Sequence, residues 1–164
     1  MHHVATRSIA EEHIFRDGGD YATGIAILAG LVSRGSLRCH AFCFMPTHYH
    51  VWGSFTDLSR AIHDLNRQYA VAFNRRYRRR GHVFDSPFMR KPIESEEQAK
   101  ETARYIALNP PDPEHWPYSS YPGLIGTRDA FAFVDVTPVL ELFGSPEGFR
   151  EFVDAGADAE TFRS

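Results

Sequence analysis

Residues 37–55 have the sequence LRCHAFCFMPTHYHVWGSF, in which a Pro-Thr pair separates two largely apolar runs. The pattern predicts a β-hairpin with strands over 37–45 and 48–55. Because alternate side chains of a strand share a face, His48 and His50 should point the same way, and the tyrosine between them the opposite way. A buried polar group without a partner costs about 1–3 kcal/mol, so the two imidazoles need hydrogen-bond partners or a common ligand.

Patterns on both sides of this hairpin predict the rest of the fold. Two further strands are predicted, at residues 2–9 and 82–93. Apolar periodicity with capping residues and Gly or Pro terminators predicts helices at residues 20–35, 58–79, 95–109 and 145–153. Asp20 and Ser95 are the expected caps of the first and third helices. This order of elements predicts an α+β sandwich, with helices flanking a central, mainly antiparallel sheet.

The length and composition indicate one globular domain with a short appendage. The 164 residues are 43% hydrophobic and 24% charged, as in ordinary globular proteins. We expect one domain over residues 1–124 and a partly helical C-terminal extension over 125–164. No apolar run approaches the roughly 20 residues that span a bilayer, and no N-terminal segment indicates secretion. Two cysteines give no disulfide framework, so we expect a cytoplasmic protein with no membrane partner, either a monomer or a homodimer.

Charge is unevenly distributed along the chain. The net charge of the whole chain is −3, but residues 60–91 carry nine basic against two acidic residues, which is +7 and leaves −10 elsewhere. A basic patch on an acidic body is typical of proteins that bind a polyanion. The residues expected to contact phosphates are Arg67, Arg75, Arg76, Arg78, Arg79, Arg80, Arg90 and Lys91. Solvation of a helix end is the alternative explanation for some of these arginines.

A second polar pair lies at the end of the helix predicted over 95–109. Ala103 and Ile106 belong to the apolar face that would seat this helix on the sheet. Tyr105 lies about 100° around the helix from Ile106, and Asn109 is one turn beyond Tyr105 on the same stripe. With the paired imidazoles of the hairpin, an oxygen from Asn109 would add a third ligand for a divalent metal.

Each of these features also has a simpler explanation when it is taken alone. A His-x-His pair on a strand is more often structural than a metal site, and asparagine is common where a helix ends. A tyrosine with a solvated hydroxyl is the default for a half-buried aromatic residue. A further alternative is a structural zinc site, although a strand–turn–strand arrangement should hold its thiols far from its imidazoles. Its ligands would be Cys39, Cys43, His48 and His50.

Six stretches of the chain resemble the single-tyrosine HUH transposases, and most closely the REP-associated tyrosine transposases. In chain order they are HHVATRS, HIFRDGGDY, HAFCFMPTHYHVW, YAVAFNRRYRRRGHVF, ARYIALNP and WPYSSY. They span most of residues 1–121, and the combination of MPTHYH with RYIALNP is the specific part of the match.

The resemblance implies a ferredoxin-like core and an enzyme that cuts and rejoins single-stranded DNA at hairpin-associated sites. It implies that His48, His50 and Asn109 bind a divalent metal, Mg²⁺ or Mn²⁺, and that Tyr105 is the nucleophile. Family members form a 5′-phosphotyrosine intermediate and leave a free 3′-hydroxyl. The alternative function is a module that binds DNA hairpins without turnover.

Two features differ from the family pattern. Only the residues PDPEH, at 111–115, separate Pro110 from Trp116, where the family has several more residues. Pro87 stands near the position of an arginine that is a usual DNA-contacting candidate in the family. These differences bear on DNA specificity and strand transfer, whereas the expected metal and nucleophile positions match.

Overall fold

Residues 37–55 form the antiparallel hairpin that their sequence predicts. The computed structural model describes residues 1–161, with side chains described as far as residue 157. The hairpin belongs to a four-stranded sheet whose strands are β1 (His2–Arg7), β2 (Leu37–Met45), β3 (His48–Phe55) and β4 (Met89–Pro92). The strands lie in the order β2-β3-β1-β4, and each neighbouring pair is antiparallel.

Helices cover both faces of this sheet. They are α1 (Gly18–Ser33), α2 (Leu58–Tyr77), α3 (Glu96–Ala107), α4 (Tyr121–Leu124), α5 (Thr137–Phe143) and α6 (Pro146–Thr161). α1 and α2 contribute to one hydrophobic core, and α3, α5 and α6 contribute to another. The β-α-β-β-α-β order with this strand arrangement is ferredoxin-like, so the predicted α+β sandwich is confirmed.

Alternate side chains of β3 pack into the two cores. Tyr49 and Val51 are fully buried in the core beneath α1 and α2, and Trp52 is buried in the core beneath α3. The Tyr49 hydroxyl donates a hydrogen bond of 2.6 Å to Asn66 Oδ1 on α2. Tyr49 is therefore a packing residue on the face opposite His48 and His50, as the strand period predicts.

The two cysteines lie on opposite faces of β2. An irregularity in the ladder between Cys39 and Ala41 changes the register, so Cys39 joins the α1–α2 core and Cys43 joins the α3 core. The alternative of a joint zinc site is therefore wrong, and no group of three His, Cys, Asp or Glu side chains within the described residues is placed to hold a metal. The expectation that both thiols lie far from the imidazoles is also wrong for Cys43, which pairs directly with His50. Burial raises the pKa of the Cys43 thiol to about 12, so it is unreactive at neutral pH.

Several predicted boundaries differ from the observed ones. The strand predicted over 82–93 is reduced to β4, because the segment before it makes only one isolated bridge, between Ser8 and Phe84. α2 ends at Tyr77, two residues before the predicted end at residue 79, because Arg78 caps it in a left-handed conformation at φ 52°. The short helix α4, at Tyr121–Leu124, lies outside the helices that the sequence predicts.

Residues beyond 124 pack against both faces of the sheet. Val134 is buried in the α1–α2 core, and Val139, Phe149 and Val153 are buried in the α3 core. The domain boundary expected at residue 124 stays a prediction. Within the described part of the chain, no helix is long and apolar enough to cross a membrane.

Asp20 does not cap α1, contrary to the sequence prediction. The cap is Asp17, whose side chain accepts a hydrogen bond from the backbone N–H of Asp20 at 3.1 Å. Asp20 is only 3% exposed, and its carboxylate accepts hydrogen bonds from the Arg76 guanidinium and the Tyr77 hydroxyl, each at 2.6 Å. This buried carboxylate therefore connects α1 to the C-terminal end of α2.

We predict that Asp20→Asn lowers the free energy of unfolding by about 2–3 kcal/mol, because it removes charge-assisted hydrogen bonds from a buried site. Urea unfolding followed by circular dichroism measures the change. Asp64→Asn is the matched control, since the Asp64 carboxylate lies 4.0 Å from Arg67 in an exposed pair, and its cost should stay below about 0.5 kcal/mol. Equal costs for the two variants would contradict the assigned role of Asp20.

Candidate active site

α3 carries the polar stripe at the rim of the sheet. The Ser95 side chain accepts a hydrogen bond from the backbone N–H of Gln98 at 3.1 Å, which confirms the predicted cap at the start of this helix. Ala103 and Ile106 are buried in the core beneath α3, which fixes the rotation of the helix about its axis. Tyr105 consequently remains at the surface, 53% exposed.

Asn109, just beyond α3, hydrogen-bonds to both histidines of β3. Its Oδ1 lies 2.7 Å from His48 Nε2, and its Nδ2 lies 3.2 Å from His50 Nε2. The other ring nitrogens are also bonded: His48 Nδ1 lies 3.1 Å from Thr47 Oγ1, and His50 Nδ1 lies 3.0 Å from His3 Nε2. Five side chains therefore form one continuous hydrogen-bonded chain.

The donor and acceptor atoms of the Asn109 amide determine whether Nε2 of each imidazole carries a proton. Because its Oδ1 only accepts, His48 carries a proton on Nε2, and in the neutral ring Nδ1 accepts from the Thr47 hydroxyl. Because its Nδ2 only donates, His50 presents a lone pair at Nε2 and donates from Nδ1 to His3. Every donor in the network thus points in the same direction along the chain of side chains.

The buried imidazoles of this network are uncharged at neutral pH. Burial lowers the pKa of His50 to about 3, and the nearby His3, His48 and Arg7 act in the same direction. Burial lowers the pKa of His3 to about 4, with Lys91 acting in the same direction. Neutral imidazole is the form that binds metals and accepts hydrogen bonds.

Tyr105 packs beside this network. Its ring centroid lies 5.3 Å from that of His50, at an interplanar angle of 88°, and 5.8 Å from that of His3. The residue predicted to be the nucleophile and the three predicted metal ligands therefore lie together, on the α3 face of the sheet.

The inward-facing atoms of His48, His50 and Asn109 fit a divalent cation. Asn109 Oδ1 lies 2.7 Å from His48 Nε2, close to the distance of about 3 Å between neighbouring ligands of a six-coordinate ion bound at about 2.1 Å. His50 Nε2 lies beside the same amide. Imidazole nitrogens suit Mn²⁺ better than Mg²⁺, which prefers oxygen ligands. The donor set carries no charge, so anionic oxygens from a substrate would complement it well.

Two cations flank this centre on the same face. Arg7 is paired with His48 in the β1–β3 ladder, and Lys91 is paired with His3 in the β1–β4 ladder. Both side chains are exposed. Lys91 was expected to bind phosphates, whereas the sequence analysis missed Arg7 and His3. The period of β1 places Arg7 and His3 on one face, but only the register shows that this is the face of His48.

The other predicted phosphate-binding residues lie elsewhere. Arg90 is paired with Val4, so it projects from the face opposite Lys91. Arg76 pairs with Asp17 and Asp20, each at 2.6 Å, and Arg79 pairs with Glu12 at 2.6 Å. Arg67 makes a longer contact of 4.0 Å with Asp64 on the exposed side of α2. Among the arginines predicted to bind phosphates, those that are exposed and form no ion pair with described residues are Arg75, Arg78, Arg80 and Arg90.

Comparison with solved structures identifies a protein of similar fold. No protein-family model matches the chain, and no curated protein matches it. Among solved structures, the chain is similar to a REP-associated tyrosine transposase bound to a REP hairpin, with a TM-score of 0.65 and 15% sequence identity. The match covers 82% of this chain and 86% of that chain. The two proteins therefore share the fold.

The buried neutral histidines predict an acid-sensitive fold. His3 and His50 have pKa values below the ordinary 6.5, so between pH 6.5 and about 4 the unfolded chain binds more protons than the native state. The free energy of unfolding should therefore fall as the pH falls through this range, by up to about 1.4 kcal/mol per pH unit for each histidine.

Urea unfolding at several pH values between 4.5 and 7.5 measures this dependence. His3→Gln should reduce the slope, because one of the titrating groups is removed. The exposed His13 provides the control, and His13→Gln should leave the slope as in the wild type. An unchanged slope in His3→Gln would contradict the prediction.

Proposed function

We propose that this protein is an enzyme that cuts and rejoins single-stranded DNA at hairpin-associated sites, with Tyr105 as its nucleophile. The observation that carries the proposal is the position of an exposed tyrosine beside two imidazoles and an amide that converge on one point. The fold that holds them is shared with a tyrosine transposase solved with a bound hairpin, which supports the same class of substrate.

The chemistry begins with attack of the Tyr105 phenolic oxygen on a phosphodiester. A bond forms between this oxygen and phosphorus, the bond from phosphorus to the 3′-oxygen breaks, and the phenolic proton passes through solvent to the leaving 3′-oxygen. The products are a 5′-phosphotyrosine and a free 3′-hydroxyl. Because the covalent link conserves the energy of the phosphodiester, attack by another 3′-hydroxyl can join a strand without ATP.

His48, His50 and Asn109 would hold a divalent metal, Mn²⁺ or Mg²⁺. When bound, such an ion polarises the phosphate and neutralises charge that develops on its oxygens. The chain's own residues hold this position: Asn109 aligns the two imidazoles, and His3 and Thr47 hold their outer nitrogens. Arg7, exposed on the same face, is placed to bind a neighbouring phosphate.

Binding of the hairpin would involve the end of α2 as well. Arg75, Arg78 and Arg80 are exposed there and are available to phosphates. Arg76 and Arg79 instead hold α2 against the segment that contains α1, through their carboxylate partners. α2 and the catalytic α3 lie on opposite faces of the sheet, so a substrate that reaches both must pass around an edge of the sheet.

We predict that the wild-type protein forms a denaturation-resistant adduct with single-stranded hairpin oligonucleotides in the presence of Mn²⁺, and that Tyr105→Phe forms none. The variant lacks the attacking oxygen but keeps the ring. A denaturing gel with end-labelled DNA provides the measurement. The control is Tyr118→Phe, which changes a half-buried tyrosine on the α1–α2 side of the sheet and should leave adduct formation unchanged.

Hairpin binding without an adduct, across a library broad enough to contain a cleavable site, would overturn the proposed enzyme in favour of a hairpin-binding module. Cleavage that persists in Tyr105→Phe would also overturn it, since a different nucleophile would then be responsible.

We predict that the protein binds Mn²⁺ through its two hairpin histidines and Asn109, as measured by titration calorimetry without DNA. His48→Ala with His50→Ala should abolish binding, and Asn109→Asp should strengthen it by about tenfold because it adds an anionic oxygen. The exposed His63 on α2 is the control, and His63→Ala should bind as the wild type does. Equal binding by the double variant and the wild type would place the metal elsewhere.

A further inference from the structure

A groove of about 510 Å³ lies between α3 and β4, directly beside Tyr105. One wall is a stripe of α3 that runs back from Tyr105 by one and two helical turns, and the other comes from β4. The lining residues used below are Glu97, Gln98, Glu101, Tyr105, Met89 and Lys91. The groove thus begins at the proposed nucleophile and continues away from the metal-binding centre.

We propose that this groove binds one unpaired nucleotide next to the phosphate that is cut, and that it selects a base with an exocyclic amino group. The inference rests on the proposed function, because the strand must pass Tyr105 to enter the groove. It goes further, since it assigns a specificity site to residues outside the catalytic centre.

The apolar surface of the groove fits a nucleobase. Met89 is 42% exposed and Tyr105 is 53% exposed. Four large hydrophobic side chains are exposed among the described residues. Met89 and Tyr105 are two of the four, and both line this groove. Exposed aromatic and thioether side chains beside a cation are typical of surfaces on which unpaired bases stack.

Some polar side chains of the groove are bonded to other parts of the protein, and others are available to a ligand. Glu101 is bound by the Arg104 guanidinium, and the Gln98 side-chain oxygen accepts the backbone N–H of Glu94 at 2.8 Å. Glu97 and Lys91 form no ion pair or side-chain hydrogen bond with described residues. The groove therefore presents one free carboxylate and one free ammonium group to its occupant.

The free carboxylate determines which base is favoured. A carboxylate only accepts hydrogen bonds, so Glu97 suits the amino group of adenine, cytosine or guanine. In thymine, the N–H of the pairing edge lies between two carbonyl oxygens that a carboxylate repels. Lys91 would bind the phosphate of the same nucleotide, which keeps the base beside α3.

The test uses a hairpin library with randomised unpaired nucleotides on both sides of the stem, cut in the presence of Mn²⁺. Covalent adducts are isolated and their DNA is sequenced with the released strands, which gives the base preference at each position around the cut. For the wild type, we expect thymine to be depleted about tenfold or more at one position next to the cut. Glu97→Gln should lose this depletion, since an amide both donates and accepts.

Matched variants separate the groove from its surroundings. Glu96→Gln changes the neighbouring carboxylate, which pairs with Lys100 and does not line the groove, so it should keep the wild-type preference. Met89→Ala should slow adduct formation with all bases, whereas Val71→Ala, at an exposed apolar position on α2, should not. Circular dichroism establishes that each variant is folded.

Adduct formation with no base preference next to the cut, or a preference that Glu97→Gln retains, would overturn the groove inference and leave the proposed enzyme intact. The absence of any adduct with the wild-type protein would overturn both.

Discussion

Ala5 lies directly opposite His50 in the antiparallel ladder of β1 and β3, and the candidate site depends on this register. Because side chains alternate, a slip of one residue would turn His48 and His50 toward α1 and α2, and would bring Tyr49 into the site. The ring of Tyr49 is fully buried, and its hydroxyl is hydrogen-bonded to Asn66. The packing of one face therefore fixes the chemistry of the other.

The hydrogen-bonded chain through Asn109 holds the rings of His48 and His50 in position, but it leaves a proton on the inner nitrogen of His48. His50 already presents a lone pair toward the centre, whereas His48 holds its proton there. Under the proposed function, a cation would replace the Asn109 hydrogen bonds to both imidazoles, and His48 would carry its proton on Nδ1 and donate it to Thr47. The Asn109 amide satisfies the inner nitrogens of the buried His50 and the half-buried His48, and it fixes the positions of both rings.

Local periodicity was sufficient to place the main features of the site. The strand period put His48 and His50 on one face, and helical spacing put Tyr105 beside Asn109. The participation of His3 was not predictable, because it depends on the register between two strands that are far apart in the sequence. The ion pairs of Arg76 with the carboxylates near the start of α1 were missed for a related reason: they join residues 56 and 59 positions apart, and only helix packing brings them together.

The two edges of the sheet are closed to other β-strands in different ways. The outer edge of β2 is hydrogen-bonded to the backbone of residues 118–120 of the same chain. The outer strand β4 is short and fully exposed, but it carries Arg90 and Lys91 and ends at Pro92, which has no N–H to donate. Charge and proline on an edge strand oppose edge-to-edge aggregation. The sheet is in this way protected from polymerising through its own backbone.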